Sequence, residues 1–176
     1  MKNIKKLALP LLLAIFSTTA LVSCERTVEV PVQQKDNDTY SAVYELRNVS
    51  FVKNPNTGIY QIEKEFARPL YDADQVLIYR RSGTNTVGSP IWQSIPVTLY
   101  YANNVEFDYG FDFSKNDILI KAGGNVDPAT MPNNINNQTF RVVIVPGYFG
   151  KSTVDKTNYA EVIRFYNIDE STLKPL

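Results

Sequence analysis

The segment Val105–Phe113 constrains the fold of this chain more than any other stretch. Apolar and aromatic residues occupy every second position, and Glu106, Asp108, Gly110 and Asp112 occupy the positions between them. Successive side chains of a β-strand point to opposite faces of a sheet, whereas a period of two scatters them around a helix. The segment is therefore predicted to be a strand with one aromatic face, which must be covered, and one acidic face.

Further strands are predicted on both sides of this segment, each bounded by residues typical of turns. Two of them, Gln75–Arg81 and Phe140–Pro146, hold continuous apolar runs, which indicate burial on both faces and a central position for the second. Pro96 donates no hydrogen bond to a sheet, so the strand that it interrupts is expected at an edge or a bulge. The predicted strands are 43–52, 59–66, 75–81, 91–95, 97–101, 105–113, 117–122, 140–146 and 159–168.

The composition agrees with a fold built from strands alone. Tyrosine and phenylalanine number 11 and 9, and these residues are enriched in sheets. No helix is predicted, and residues 123–138 and 147–158 are expected to be long loops. About eight short strands with frequent turns favour an all-β, antiparallel two-sheet sandwich, either immunoglobulin-like or a jelly roll, with a closed barrel as the alternative.

The amino end has the layout of a secretory signal. Three lysines precede an apolar run from Leu7 to Val22, which contains Pro10 and is shorter than the roughly 20 residues that a membrane-spanning helix needs. The run ends at Leu21-Val22-Ser23-Cys24, which resembles the lipobox of bacterial lipoproteins. In that family the cysteine receives a lipid, and the signal is cut off before it.

This resemblance divides the chain into a signal peptide over 1–23, a lipidated tether over 24–39 and a β-sandwich domain over 40–176. It implies a membrane anchor on Cys24, which is the only cysteine and therefore has no disulfide partner within the chain. The next residue is Glu25 rather than aspartate, which by the same resemblance implies the outer membrane. Both the periplasmic and the surface face stay open.

The residue types restrict the chemistry that the domain can perform. The chain has no histidine, which removes the usual general base near neutral pH and the commonest metal ligand. The signal carries three lysines and no acid, so the remainder has 15 basic and 18 acidic residues. No basic field is present to hold nucleic acid, and no cofactor is expected.

Two sets of residues are candidates for a site. Glu106, Asp108 and Asp112 share one strand face and can contribute to a Ca²⁺ site or a glycosidase-like carboxylate pair, although a solvated sheet face is the favoured interpretation. Aromatic side chains can stack on sugars if they are exposed, although core packing is favoured for them as a group. Those named are Trp92, Tyr100, Tyr101, Tyr109, Tyr148 and Phe149, of which Tyr148 and Phe149 lie between two glycines in an expected loop.

Four segments in order resemble a family of small Bacteroidetes-type lipoproteins of unknown function. They are Val76–Arg80, Ile91–Pro96, Val105–Phe113 and Phe140–Pro146, and the resemblance covers most of residues 40–168. It supplies no catalytic residues to carry over. We therefore expect a lipid-anchored, non-enzymatic envelope protein with a structural or protein-binding role. A surface glycan-binding module is the alternative, followed by a carboxylate-dependent glycosidase.

Overall fold

Two five-stranded sheets pack against each other in the computed structural model, which describes residues 41–147 and 153–176. Cys24, the predicted tether, Tyr148 and Phe149 lie outside the described residues. The strands in chain order are β1 Ala42–Val49, β2 Val52–Lys53, β3 Tyr60–Glu65, β4 Gln75–Thr84, β5 Pro90–Ile95, β6 Val97–Tyr101, β7 Val105–Phe113, β8 Asp117–Gly124, β9 Gln138–Val145 and β10 Lys174–Pro175.

The first sheet has the order β10-β1-β9-β4-β5, and the second has the order β2-β3-β8-β7-β6. Neighbouring strands are antiparallel, except that β10 pairs in parallel with β1. The two sheets are not closed into a barrel, so the predicted all-β sandwich is confirmed. The central position predicted for the apolar strand that begins near Phe140 is confirmed as well, because β9 lies in the middle of its sheet.

Pro96 marks the passage of the chain from one sheet to the other. It lies between β5 and β6, which are edge strands of the first and second sheet respectively. The predicted edge position is therefore confirmed, although the two halves are separate strands rather than one interrupted strand. Pro96 has no N–H group to donate, and because it lies between the two strands, neither sheet loses a hydrogen bond there.

Aromatic and aliphatic side chains from both sheets form the main core. Phe107 and Tyr109 of β7 are almost fully buried, as the alternating pattern predicts, and they face Phe140 of β9 across the sandwich. The acidic positions of the same strand face outward. Other core residues are Leu46, Phe51, Ile62, Val76, Ile78, Ile95, Ile118, Ile120, Val142 and Ile144.

A helix covers the outer face of the first sheet, where the sequence predicts a strand over 159–168. Helix α2 (Tyr159–Phe165) begins at Asn158, whose side chain accepts a hydrogen bond from the N–H group of Glu161. Its buried residues follow a helical spacing, because Tyr159, Val162 and Tyr166 all pack on the sheet. The predicted strand is wrong because the Asn158 cap and the helical spacing of the buried residues outweigh the strand preference of tyrosine, valine and isoleucine.

Two other expectations need correction. The expected loop 123–138 contains the end of β8, a 3₁₀ turn over Pro128–Thr130 and the one-turn helix α1 (Pro132–Ile135), which proline starts favourably. The strand predicted over 43–52 is divided, because β1 ends at Val49 after an irregularity at Asn48, which has a positive φ of 56°. The next strand, β2, then pairs in the second sheet.

A second core lies between α2 and the first sheet. Val43, Tyr79, Val143 and Val145 contribute from the strands, and Val162 from the helix is fully buried. The first sheet is therefore buried on both faces, as the apolar runs of β4 and β9 predict. Within the described part of the chain, no helix has the length and apolar character needed to cross a membrane.

Gly124 allows a close backbone approach between β7 and β8. A Cβ atom at this position would lie 2.1 Å from the carbonyl oxygen of Glu106, and the φ angle of 132° also disfavours other residues. We predict that Gly124→Ala lowers the free energy of unfolding by about 1–3 kcal/mol, measured by urea denaturation.

Gly123→Ala is the matched control. A Cβ atom at Gly123 meets nothing within 4 Å, so we expect a change of less than about 0.5 kcal/mol. Equal stability of the two variants would show that the close approach to Glu106 does not constrain the backbone.

Candidate functional site

A groove of about 570 Å³ runs between helix α2 and edge strand β5 on the outer face of the first sheet. Trp92, the one tryptophan of the chain and a sequence-predicted binding residue, lies on the β5 side. Arg164 and Asn167 lie on the helix side, and Arg141 of β9 lies between the two sides. We call this the α2–β5 groove. Its walls combine an aromatic ring with charged and amide side chains.

Arg141 is the centre of the groove. Its guanidinium carbon lies 4.4 Å from the centroid of the Trp92 ring and 5.0 Å from that of Tyr159. A guanidinium group at such distances is attracted by the electron-rich faces of aromatic rings. The Trp92 and Tyr159 rings are themselves 5.5 Å apart, so the three side chains form one contiguous cluster.

Two glutamates neutralise the charge of Arg141. Its Nε donates a hydrogen bond of 3.2 Å to Glu45 of β1, and its Nη1 donates to both Glu170 and the Tyr159 hydroxyl. The Tyr159 hydroxyl in turn donates to Glu170 over 2.9 Å. Only 13% of the Arg141 side chain and 9% of the Glu45 side chain are exposed. Since these two charges have little contact with water, they need counter-charges: Arg141 has Glu45 and Glu170, and Glu45 has Arg141 and exposed Arg47.

The protonation of this network follows from burial and charge. Burial alone would raise the pKa of Glu45, but the hydrogen bonds and charges of Arg47 and Arg141 outweigh it and hold the pKa below its ordinary value. Burial is also the main reason that the pKa of Tyr159 lies far above its ordinary value. At neutral pH Glu45 is therefore ionised and the Tyr159 phenol is protonated.

The network connects distant parts of the chain. Glu45 belongs to β1, Arg141 to β9 and Tyr159 to α2, while Glu170 begins the 3₁₀ turn Glu170–Thr172 that follows the helix. It therefore fixes the helix and the carboxyl-terminal segment on the sheet. The same rigidity holds Trp92 at the wall of the groove, where planar or polar groups of a partner can contact it.

The acidic residues of β7 lie elsewhere, on the outer face of the second sheet. Asp112 forms an ion pair with Lys121, and Glu106 is exposed. Among the described residues, no group of three histidine, cysteine, aspartate or glutamate side chains is placed to hold a metal ion. The structure thus places Glu106, Asp108 and Asp112 on a sheet face away from Trp92.

The other aromatic candidates differ in exposure. Tyr100 is 76% exposed and Tyr101 43% exposed, whereas Tyr109 is buried in the main core. The Tyr109 hydroxyl donates to the carbonyl oxygen of Asn134 over 2.7 Å, and burial raises its pKa to about 12. Tyr109 is therefore a core residue, which confirms for this side chain the favoured interpretation of core packing. Tyr148 and Phe149 lie outside the described residues.

Sequence reasoning missed the partners of Trp92. Arg141 is the single charge within the apolar run 140–146, and a charge in a strand expected to be buried requires a compensating partner. The sequence therefore indicated that Arg141 needs a partner. It did not indicate which residue the partner is, because Glu45 lies 96 positions away in the sequence.

Comparison with protein families, with curated proteins and with solved structures finds no significant match to this chain. Any assignment of function therefore rests on the residues and contacts described above.

The central role of Arg141 can be tested by removing its charge. We predict that Arg141→Leu lowers the free energy of unfolding by about 1–3 kcal/mol, because Glu45 and Glu170 both lose the guanidinium between them and only exposed Arg47 remains beside Glu45. Urea denaturation followed by circular dichroism measures this loss.

Arg164→Leu is the matched control, since Arg164 lines the same groove but is exposed. We expect it to change stability by less than about 0.5 kcal/mol. If Arg141→Leu were as stable as this control, the network would not hold the helix on the sheet.

Proposed function

We propose that this chain is a lipid-anchored envelope protein whose β-sandwich has a non-enzymatic, protein-binding role. The lipid is attached to Cys24 and places the domain at the outer membrane. This part of the proposal rests on the apolar run from Leu7 to Val22 and the residues Leu21–Cys24 that close it. Stable anchoring requires two or more acyl chains, each buried CH₂ contributing about 0.8 kcal/mol.

The chemistry of the α2–β5 groove favours binding over catalysis. Arg141 pairs with Glu45 and Glu170, and Tyr159 donates its hydroxyl hydrogen to Glu170. These ionisable groups are engaged with one another and stabilise the fold. A general acid or base needs a pKa near the working pH, whereas Glu45 and Tyr159 are shifted away from neutrality.

A protein partner agrees best with the residue types of the groove. Tryptophan, tyrosine and arginine are enriched at the centres of protein interfaces, where a few side chains supply most of the binding energy. Trp92 is partly exposed at the groove, and the largely buried Arg141 and Tyr159 pack against its ring and hold it in place, so that it loses little conformational entropy on binding. This cluster is the observation that carries the protein-binding role.

Metabolic labelling with radioactive palmitate tests the anchor. We predict that the wild-type protein is labelled and that Cys24→Ala is not, because the sulfur that accepts the lipid is absent. Ser23→Ala keeps a small residue before the cysteine and should be labelled like the wild type. Equal labelling of Cys24→Ala would contradict the anchor.

Site-specific photocrosslinking in cells tests the groove. We predict that a photoreactive amino acid in place of exposed Arg164 gives a discrete crosslinked protein, whose yield falls at least tenfold when Trp92→Ala is added. The matched control carries the photoreactive group at Glu63, which is exposed on the second sheet. No product from position 164, or the same product from both positions, would contradict a protein partner at this groove.

A surface glycan is the second candidate ligand. Trp92 and the amide of Asn167 share the α2–β5 groove, and aromatic rings beside planar polar groups suit the faces and hydroxyls of sugars. A glycan array probed with wild type and Trp92→Ala separates this function from the first. Glycans that bind the wild type but not the variant would support a glycan ligand. An array without hits would rule out the glycan-binding function.

A further inference from the structure

Arg80 lies between the two sheets, on the opposite face of the first sheet from the α2–β5 groove. In β4 it follows core residue Ile78 by two positions, and it pairs in register with Phe140 of β9. Its guanidinium carbon lies 4.7 Å from the centroid of the Tyr109 ring, which belongs to the second sheet. A positive charge is thus held inside the sandwich, close to its lateral edge.

The hydrogen-bond partners of Arg80 are neutral. Its Nε donates to Gln138 over 3.3 Å and its Nη1 donates to Gln93 over 3.5 Å, both near the upper limit for such bonds. Among residues 41–147 and 153–176, no carboxylate forms an ion pair with it. Arg141, on the other face of the same sheet, has two carboxylate partners. The guanidinium of Arg80 therefore has hydrogen-bond acceptors but no counter-charge, and an anionic ligand would supply one.

The edge beside Arg80 is open to solvent and carries further donors. β5 and β6 are the edge strands of their sheets, and Ile91 of β5 is 45% exposed. Tyr101 of β6 is 43% exposed, and its hydroxyl oxygen accepts a hydrogen bond of 2.7 Å from Asn134. In the described part of the chain, neither the Tyr101 hydroxyl hydrogen nor the Gln93 amide nitrogen donates to another group.

We propose that Arg80, Gln93 and Tyr101 form a binding site for a hydroxylated carboxylic acid of the sugar-acid class. The planar guanidinium matches the two oxygens of a carboxylate, and hydrogen bonds between charged groups are about twice as strong as neutral ones. Gln93 contacts the same guanidinium, and the Tyr101 hydroxyl is connected to the Tyr109 side chain under Arg80 through Asn134. The Gln93 amide and the Tyr101 hydroxyl suit the hydroxyl groups of the same ligand. The site is separate from the α2–β5 groove and does not depend on the function proposed for that groove.

Isothermal titration calorimetry of the full-length protein in detergent tests the site with three probes. Sodium D-glucuronate presents both the carboxylate and the hydroxyls, sodium acetate the carboxylate alone, and D-glucose the hydroxyls alone. We expect glucuronate to bind, acetate to bind at least tenfold more weakly and glucose to give no measurable heat. If acetate bound as tightly as glucuronate, the assignment to sugar acids would be overturned. If glucose bound as tightly as glucuronate, the requirement for a carboxylate would be overturned.

Three variants connect the binding to these residues. Arg80→Gln should weaken the binding of glucuronate at least tenfold. Arg81→Gln should leave the affinity unchanged, since exposed Arg81 pairs in register with Trp92 and donates to Thr84. Tyr101→Phe removes one exposed hydroxyl and should weaken binding about threefold or more, and it provides the test if Arg80→Gln does not fold. No glucuronate binding by the wild type, or wild-type affinity in either Arg80→Gln or Tyr101→Phe, would overturn the proposal.

Discussion

Strand β9 is apolar on both faces, and this property determines how many layers the domain needs. Phe140 and Val142 point into the main core, while Val143 and Val145 point the other way and are equally buried. Full burial of one such side chain contributes about 1.5–3 kcal/mol, and an uncovered face would leave an apolar patch larger than soluble proteins usually expose. A second sheet covers one face and helix α2 covers the other, so the helix is part of the fold rather than an addition to it.

The polar cluster of the first sheet follows from that burial. Arg141 occupies the outer face of β9, where the helix removes most of its contact with water. Removal of water is costly for a charge, and Glu45 and Glu170 offset that cost from opposite sides of the cluster. The aromatic rings of Trp92 and Tyr159 complete the environment. The candidate site therefore results from the position of Arg141 on the outer face of the first sheet, which helix α2 has to cover.

Local patterns were sufficient to predict much of this architecture. The period-two alternation of Val105–Phe113, the apolar runs of β4 and β9, and the edge position of Pro96 depend on neighbouring residues alone. Helix α2 could also be predicted from the sequence, because Asn158 with Glu161 three positions later is a capping signal and the apolar residues have a helical spacing. The partners of Arg141 and the Gln138 partner of Arg80 were not predictable, because they are brought together by contacts between elements that are distant in sequence.

Unfolding of the protein by urea, followed both by fluorescence and by circular dichroism, tests most directly whether α2 is an integral part of the fold. Trp92 is the one tryptophan and contacts Tyr159 of the helix, so its fluorescence reports the packing of α2 on the sheet. Far-ultraviolet circular dichroism reports the strands themselves, and coincidence of the two transitions is the test of a single cooperative unit. Coincident transitions are predicted, because the two cores share the strands of one sheet. A fluorescence transition at clearly lower urea than the circular dichroism transition would contradict the account, since the helix would then leave a sheet that remains folded.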